Sequence, residues 1–244
     1  MKKIYILTVI AAGLAVPVSA KNIKSKPLPA SVYTVSGGIT VKAGTAASPV
    51  ITIANADADK CSVSSNTEGG TLYVELRSSG TAECAGSVMV ELAADTPLRL
   101  KSRTGAIAVS GISGEIKAYT QGSVTLNNVS GNLSVDGGNG DVTGTVSSPK
   151  VTIKTQSGKI NLSGLKGTGS LMSAADITAK WIKAPASGEM LVLTPENIAI
   201  TLPKGAAVKT TVVTNGKTEN AFAKAKGKFS LLLQMGKQIT VTEN

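Results

Sequence analysis

The chain has 244 residues, of which 42% are hydrophobic, 16% charged and only 3% aromatic, with 26 glycines, a formal charge of +10 and no histidine. The apolar fraction is too high for a chain that stays unfolded. The missing histidine excludes Ser-His-Asp and Cys-His nucleophile arrangements and every His-ligated metal site. The shortage of rings argues against a stacking platform for bases or sugars.

Residues 1–20 carry the three-part layout of a secretory signal peptide: the positive start Met1-Lys2-Lys3, an apolar run from Ile4 to Val18, and the small residues Ser19-Ala20 at the cleavage site. The apolar run is too short for a permanent anchor, and no later stretch is long enough to span a membrane as a helix. The chain is therefore expected to be exported, to the periplasm or the cell surface, with no transmembrane segment after cleavage. Residues 21–31, with Pro27 and Pro29, read as a flexible leader.

Residues 32–97 form an N-terminal β region. Ile39-Thr40-Val41, Val50-Ile51-Thr52-Ile53 and Leu72-Tyr73-Val74-Glu75-Leu76 alternate as strands, with Gly37-Gly38 and Gly69-Gly70 as turns. Cys61 and Cys84 are the only cysteines. In an oxidising compartment an even pair is expected to form a disulfide, closing a loop of roughly 24 residues and contributing on the order of 3 kcal/mol.

From 98 to 194 the chain repeats. One column of aliphatics reads Leu98, Ile116, Leu133, Val151, Leu171; a second reads Ile107, Val124, Val142, Ile160, Ile177; a third reads Ile112, Val129, Val146, Leu165, Ile182. Within the columns the spacing runs from 17 to 20 residues. Two residues before the second column stand Gly105, Gly122, Gly140, Gly158 and then Ala175. Each unit holds two short stretches of period-two alternation, too small to bury an apolar face alone and too short for a crossover helix. The pattern predicts an all-β, single-domain parallel β-solenoid of about 17–20 residues per coil, with five clear coils. The glycines are expected at corners that need a positive φ or a close approach to the neighbouring coil. Residues 195–244 are expected to form a C-terminal β cap, because an uncovered solenoid end exposes strand edges.

The segments Arg103-Thr104-Gly105-Ala106-Ile107, Gln121-Gly122-Ser123-Val124 and Gln156-Ser157-Gly158-Lys159-Ile160, with the closing Ile198-Ala199-Ile200-Thr201-Leu202-Pro203, resemble the putative-adhesin β-solenoid domains of bacterial envelope proteins. The related head-GIN autotransporter-adhesin domains share the plan. The resemblance covers roughly residues 30–242 and implies a solenoid of the cell envelope; its motifs encode coil geometry and carry no functional residue.

Chemistry is sparse. A glycosidase needs two carboxylates about 5 to 9.5 Å apart beside a sugar platform. Between Leu98 and Ile182 only Glu115, Asp136, Asp141 and Asp176 are acidic, and only Tyr119 and Trp181 aromatic. Gly137-Gly138-Asn139-Gly140-Asp141 resembles a calcium nonapeptide, but its Asp falls one place early and it occurs once. No cofactor or metal is expected. The net charge falls to +8 once Lys2 and Lys3 leave with the signal peptide. Lys150, Lys154, Lys159, Lys166, Lys180 and Lys183 would attract anionic envelope polymers if they shared a face; otherwise they keep outward positions soluble. The sequence thus points to a non-enzymatic adhesin-like, scaffold or binding module whose partner is an envelope protein or an anionic polysaccharide, not nucleic acid. An enzyme acting on an envelope polysaccharide is the alternative.

Overall fold

Every second residue along the alternating stretches is aliphatic, and such stretches form strands because branched side chains fit a pleated surface buried on one face. The computed structural model describes residues 27–45, 48–54, 60–79, 84 and 86–244; residues 1–20, the expected signal peptide, lie outside the described residues. Among these residues there are 22 strands, and no helix long and apolar enough to cross a membrane. The chain is a β-solenoid of two sheets of 11 strands, here called front and back, which share one core.

The regular section climbs in chain order. Its front strands are β7 (Leu98–Ser102), β9 (Ile116–Thr120), β11 (Leu133–Gly137), β13 (Lys150–Lys154), β15 (Thr168–Met172) and β17 (Gly188–Leu193). Its back strands are β8 (Ile107–Ser110), β10 (Val124–Val129), β12 (Val142–Val146), β14 (Ile160–Leu165), β16 (Ile177–Trp181) and β18 (Asn197–Leu202). All pair in parallel, as a solenoid requires.

At both ends the chain order breaks. The first rung, β1 (Ala30–Thr34) with β2 (Gly38–Ala43), lies between the regular section and the rung that follows it in sequence, β5 (Thr71–Ser78) with β6 (Ser87–Leu92). Likewise β21 (Phe229–Gln234) and β22 (Gln238–Glu243) slot between β17/β18 and the outermost rung, β19 (Val208–Val213) with β20 (Lys217–Asn220). Each terminal segment is thus held between two rungs instead of fraying at an edge. At the N-terminal end β3 (Val50–Ala54) and β4 (Cys61–Glu68) pair antiparallel to β6 and β5. A Cys61–Cys84 disulfide ties this cover together. At the other end Phe222, 5% exposed, covers the core. Its amide donates to Asn220 Oδ1 and its carbonyl accepts from Thr210 Oγ1.

The strands extend past two sequence boundaries. Ala30 and Ser31, inside the stretch read as leader, pair with Leu72 and Tyr73 on one side and with Leu98 and Arg99 on the other. Beyond residue 194, Ile198 and Ile200 of β18 continue the lines of Ile177 and Ala179, so the regular section runs to Leu202.

Ile107, Val124, Val142, Ile160 and Ile177 stand in one register line and are 0–1% exposed. Two other lines end differently from the sequence pattern. Val151 faces Gly169, and Leu171 stacks on Ile153 in the neighbouring line. Gly169 has φ 135, and a Cβ there would collide with the Val151 carbonyl, so no aliphatic can occupy that rung of the line. In the third line a register shift after Leu162 sets Trp181 opposite Leu165, leaving Ile182 52% exposed. The buried Trp181 indole donates to the Gly167 carbonyl (3.2 Å), which satisfies its one polar atom.

The corners leading from front to back strands combine two features. A Cβ on Gly105 or Gly158 would overlap the backbone of Gly37 or Gly140 in the adjacent rung, so close stacking, not a positive φ, demands glycine there. Beside them runs a buried line of hydroxyls absent from the sequence reading: Thr34, Ser102, Thr120, Thr155, Ser173 and Thr194. Thr155 Oγ1 donates to Gly158 O (2.7 Å), Ser173 Oγ donates to the same carbonyl (2.6 Å), and Thr120 Oγ1 donates to Gly105 O (2.6 Å). The carbonyls that turn inward at each corner thereby keep a donor without water.

Candidate functional site: the outer face of the front sheet

Because inward positions are set by the core, the residues between them must face solvent. On the front sheet the outward line Tyr33, Lys101, Tyr119, Asp136, Lys154 is continuous in register. Beside it runs Tyr73, Ser31, Arg99, Lys117, Ser134. Apart from Tyr5, which lies outside the described residues, these are all the tyrosines of the chain. Of its three arginines, Arg99 lies in the second line, Arg77 on β5 and Arg103 just past β7.

Lys101 Nζ lies 5.7 Å from the centroid of the Tyr33 ring and 5.9 Å from that of Tyr119. Each contact falls within cation–π range, worth about 0.5–1 kcal/mol at an exposed site. The three rungs place the two rings roughly 10 Å apart along the rod. Ser31, standing between Tyr73 and Arg99, is too small to fill the space between its neighbours. A groove of about 400 Å³ results, lined by Ser31, Tyr73, Pro97, Arg99, Glu115 and Lys117 among others. Tyr73 is 43% exposed on its wall.

The charges divide into paired and open ones. Lys117 holds Glu115 at 2.9 Å and lowers its carboxyl pKa, chiefly by hydrogen bonding and then by charge. Arg77 pairs with Glu75 at 2.6 Å, which raises the guanidinium pKa further. Among the described residues Arg99 and Lys101 form no ion pair. A planar fork and a point charge are thus left to meet carboxylate, sulfate or phosphate groups, with ring faces beside them for the C–H faces of a sugar.

The lysines proposed from sequence do not share one face. Lys150 and Lys154 lie on front strand β13, and Lys180 on back strand β16. Lys159 precedes β14 at the front-to-back corner, while Lys166 and Lys183 follow β14 and β16 at the opposite corner. Lys159 is also engaged by Asp176 at 3.0 Å, which raises the lysine's pKa and lowers the carboxyl's. The acids are equally dispersed. Asp136 faces outward on β11, and Asp141 accepts the Lys159 amide at a corner (2.8 Å). Among the described residues no three acidic or cysteine side chains gather as a metal-binding group.

The low ring count of the chain conceals this cluster, because composition carries no placement. The signal was available: Tyr33, Tyr73 and Tyr119 each sit one residue after a member of an inward line, Val32, Leu72 and Ala118.

No protein-family model matches the chain, and no curated protein sequence matches it. Solved structures do. A putative cell adhesion protein from Clostridium sporogenes is 10% identical over 100% of this chain and 99% of its own, with a TM-score of 0.25. A putative lipid binding protein from Parabacteroides distasonis is 11% identical over 90% and 94%, with a TM-score of 0.42. A putative adhesin from Bacteroides fragilis is 13% identical over 90% and 94%, with a TM-score of 0.28. At these scores no residue role is taken from any of them.

Proposed function

We propose that this chain is an exported, non-enzymatic binding module of the bacterial cell envelope that holds an anionic glycan against the N-terminal half of its front face. The observation that carries the reading is the Tyr33–Lys101–Tyr119 stack beside the Tyr73–Arg99 groove. A flat parallel sheet presents these groups at a fixed rung spacing, which suits an extended polymer better than a compact ligand. The Cys61–Cys84 bond supports an oxidising compartment. The dispersed carboxylates support holding over hydrolysis, since a glycosidase must bring two of them to one bond.

Titration calorimetry with polygalacturonate and with its carboxyl-reduced, neutral counterpart tests the reading. The protein is expected to bind the anionic polymer, and Tyr33→Ala with Tyr119→Ala, or Arg99→Gln, to weaken it. Equal binding of both polymers, or full binding by both variants, would refute it.

A further inference from the structure

Toward the C-terminal end the outward positions of the front sheet change character. Met172 on β15, Leu191 and Leu193 on β17, Leu232 on β21 and Val213 on β19 are aliphatic. Register makes them contiguous: Met172 lies opposite Leu193, Leu191 opposite Leu232, and Gln234 alone separates Leu193 from Val213. Beneath them Leu171, Val192, Leu231 and Leu233 already fill the core and are fully buried. The outer set adds nothing that stacking needs, and polar residues would serve there as they do on the other rungs. Met235 closes the patch. It is 57% exposed and holds φ 75, a left-handed conformation that an unbranched non-glycine residue adopts only under constraint.

The surrounding charge is predominantly positive. Lys150 and Lys154 border the patch on β13, and Lys209 and Lys228 border it at β19 and just before β21. Two acids lie on or beside this part of the face: Glu189, in line with Ser230 and Lys209, and Asp136, opposite Lys154. Glu196, behind the patch, is already held by Lys237 at 2.7 Å. An aliphatic centre inside a lysine frame is complementary to a surface that is anionic outside and apolar within. Two copies laid face to face would instead set lysine frame against lysine frame. A glycan would find no ring to stack on and few hydrogen-bond partners.

We infer that the C-terminal half of the front face docks on an anionic lipid bilayer, with the aliphatic side chains at the headgroup boundary and the lysines on the lipid charges. The inference uses different rungs and residues from the glycan reading, and either can fail alone.

The test is flotation of the full chain with vesicles of equimolar phosphatidylcholine and phosphatidylglycerol, against pure phosphatidylcholine. Capture by the mixed vesicles is expected, falling steeply with salt. Leu193→Ser with Val213→Ser should weaken it about tenfold or more, since two aliphatic side chains leave the boundary. Lys154→Gln with Lys209→Gln should weaken it comparably. All four positions face outward, so melting curves should match the parent and separate lost binding from lost folding. No capture by mixed vesicles overturns the inference. So does equal capture by neutral vesicles, loss of capture on Tyr33→Ala with Tyr119→Ala alone, or a dimer in light scattering that the serine variant abolishes.

Discussion

The front and back sheets share the same rungs and bury the same kind of residue, yet their outer faces differ. On the back the outward line reads Thr40, Ala108, Thr125, Thr143, Asn161, Thr178, Ala199, Thr240. Small polar and neutral side chains of this kind are what solubility and β propensity alone require. On the front the corresponding positions hold rings and open cations at one end and aliphatics at the other. Since the core is indifferent to outward side chains, the back face shows what the fold needs and the front face shows what has been added to it. Function is therefore sought in the difference between the faces, not in the shared repeat.

The sharpest way to break this comparison is to exchange inward and outward roles between neighbours. Ile160→Asp places an unpaired charge in the back-sheet core, a cost of several kcal/mol, and is expected to abolish the cooperative thermal transition. Asn161→Asp, one residue on and exposed, should stay within about 0.5 kcal/mol of the parent. Equal melts for the two would show that the inward and outward assignment is wrong. The corners that join the faces come next. Thr155→Val removes one of the two hydroxyls that donate to Gly158 O, the other being that of Ser173. It should cost about 0.5–1.5 kcal/mol in denaturant unfolding, the net worth of one hydrogen bond, because Ser173 still donates to the Gly158 carbonyl.

Much of this architecture was legible in the sequence because a solenoid writes its core as columns. The second column needed only its spacing. The errors fall where glycine or a register shift interrupts the columns: Gly169 takes the rung of the first line, so that Leu171 falls in the next, and the shift before Leu165 brings Trp181 inward where Ile182 had been expected. The hydroxyl line was missed because Ser and Thr are also common in exposed turns, so their burial shows only once the corner carbonyls are placed. The candidate site was missed for a different reason. Its parts lie on four rungs whose chain order is broken, and Tyr73 faces Arg99 across the gap over Ser31 only because β1 inserts between β5 and β7.

A matched pair of double variants sharpens the comparison at the level of binding. Tyr33→Ala with Tyr119→Ala removes both rings around Lys101 and should lower polygalacturonate affinity about tenfold or more, taking roughly 1 kcal/mol per ring. Thr125→Ala with Thr143→Ala makes an equal number of changes on the back face. Calorimetry should find its affinity unchanged.

The smallest effect is a pH response with a different outcome on each side. Two exposed ion pairs lower a carboxyl pKa: Glu115, held by Lys117 on the front face, and Asp176, held by Lys159 at the back-sheet corner. A depressed folded-state pKa contributes stability that is present above the ordinary carboxylate value, roughly pH 4. That stability is lost as pH falls through the lower folded value. For Asp176 the result is a slight fall in melting temperature below that range, absent in Asp176→Asn, since solvent screens so exposed a pair. Protonating Glu115 costs equally little stability, but it releases Lys117 into the groove beside Arg99. The front face then gains a positive charge just as the back corner loses an ion pair. Affinity for dextran sulfate, whose charge does not titrate in this range, should rise modestly on acidification. Glu115→Gln should already show the raised affinity at neutral pH and lose the pH step. A pH step that persists in Glu115→Gln would place the titrating group elsewhere and detach Lys117 from the binding face.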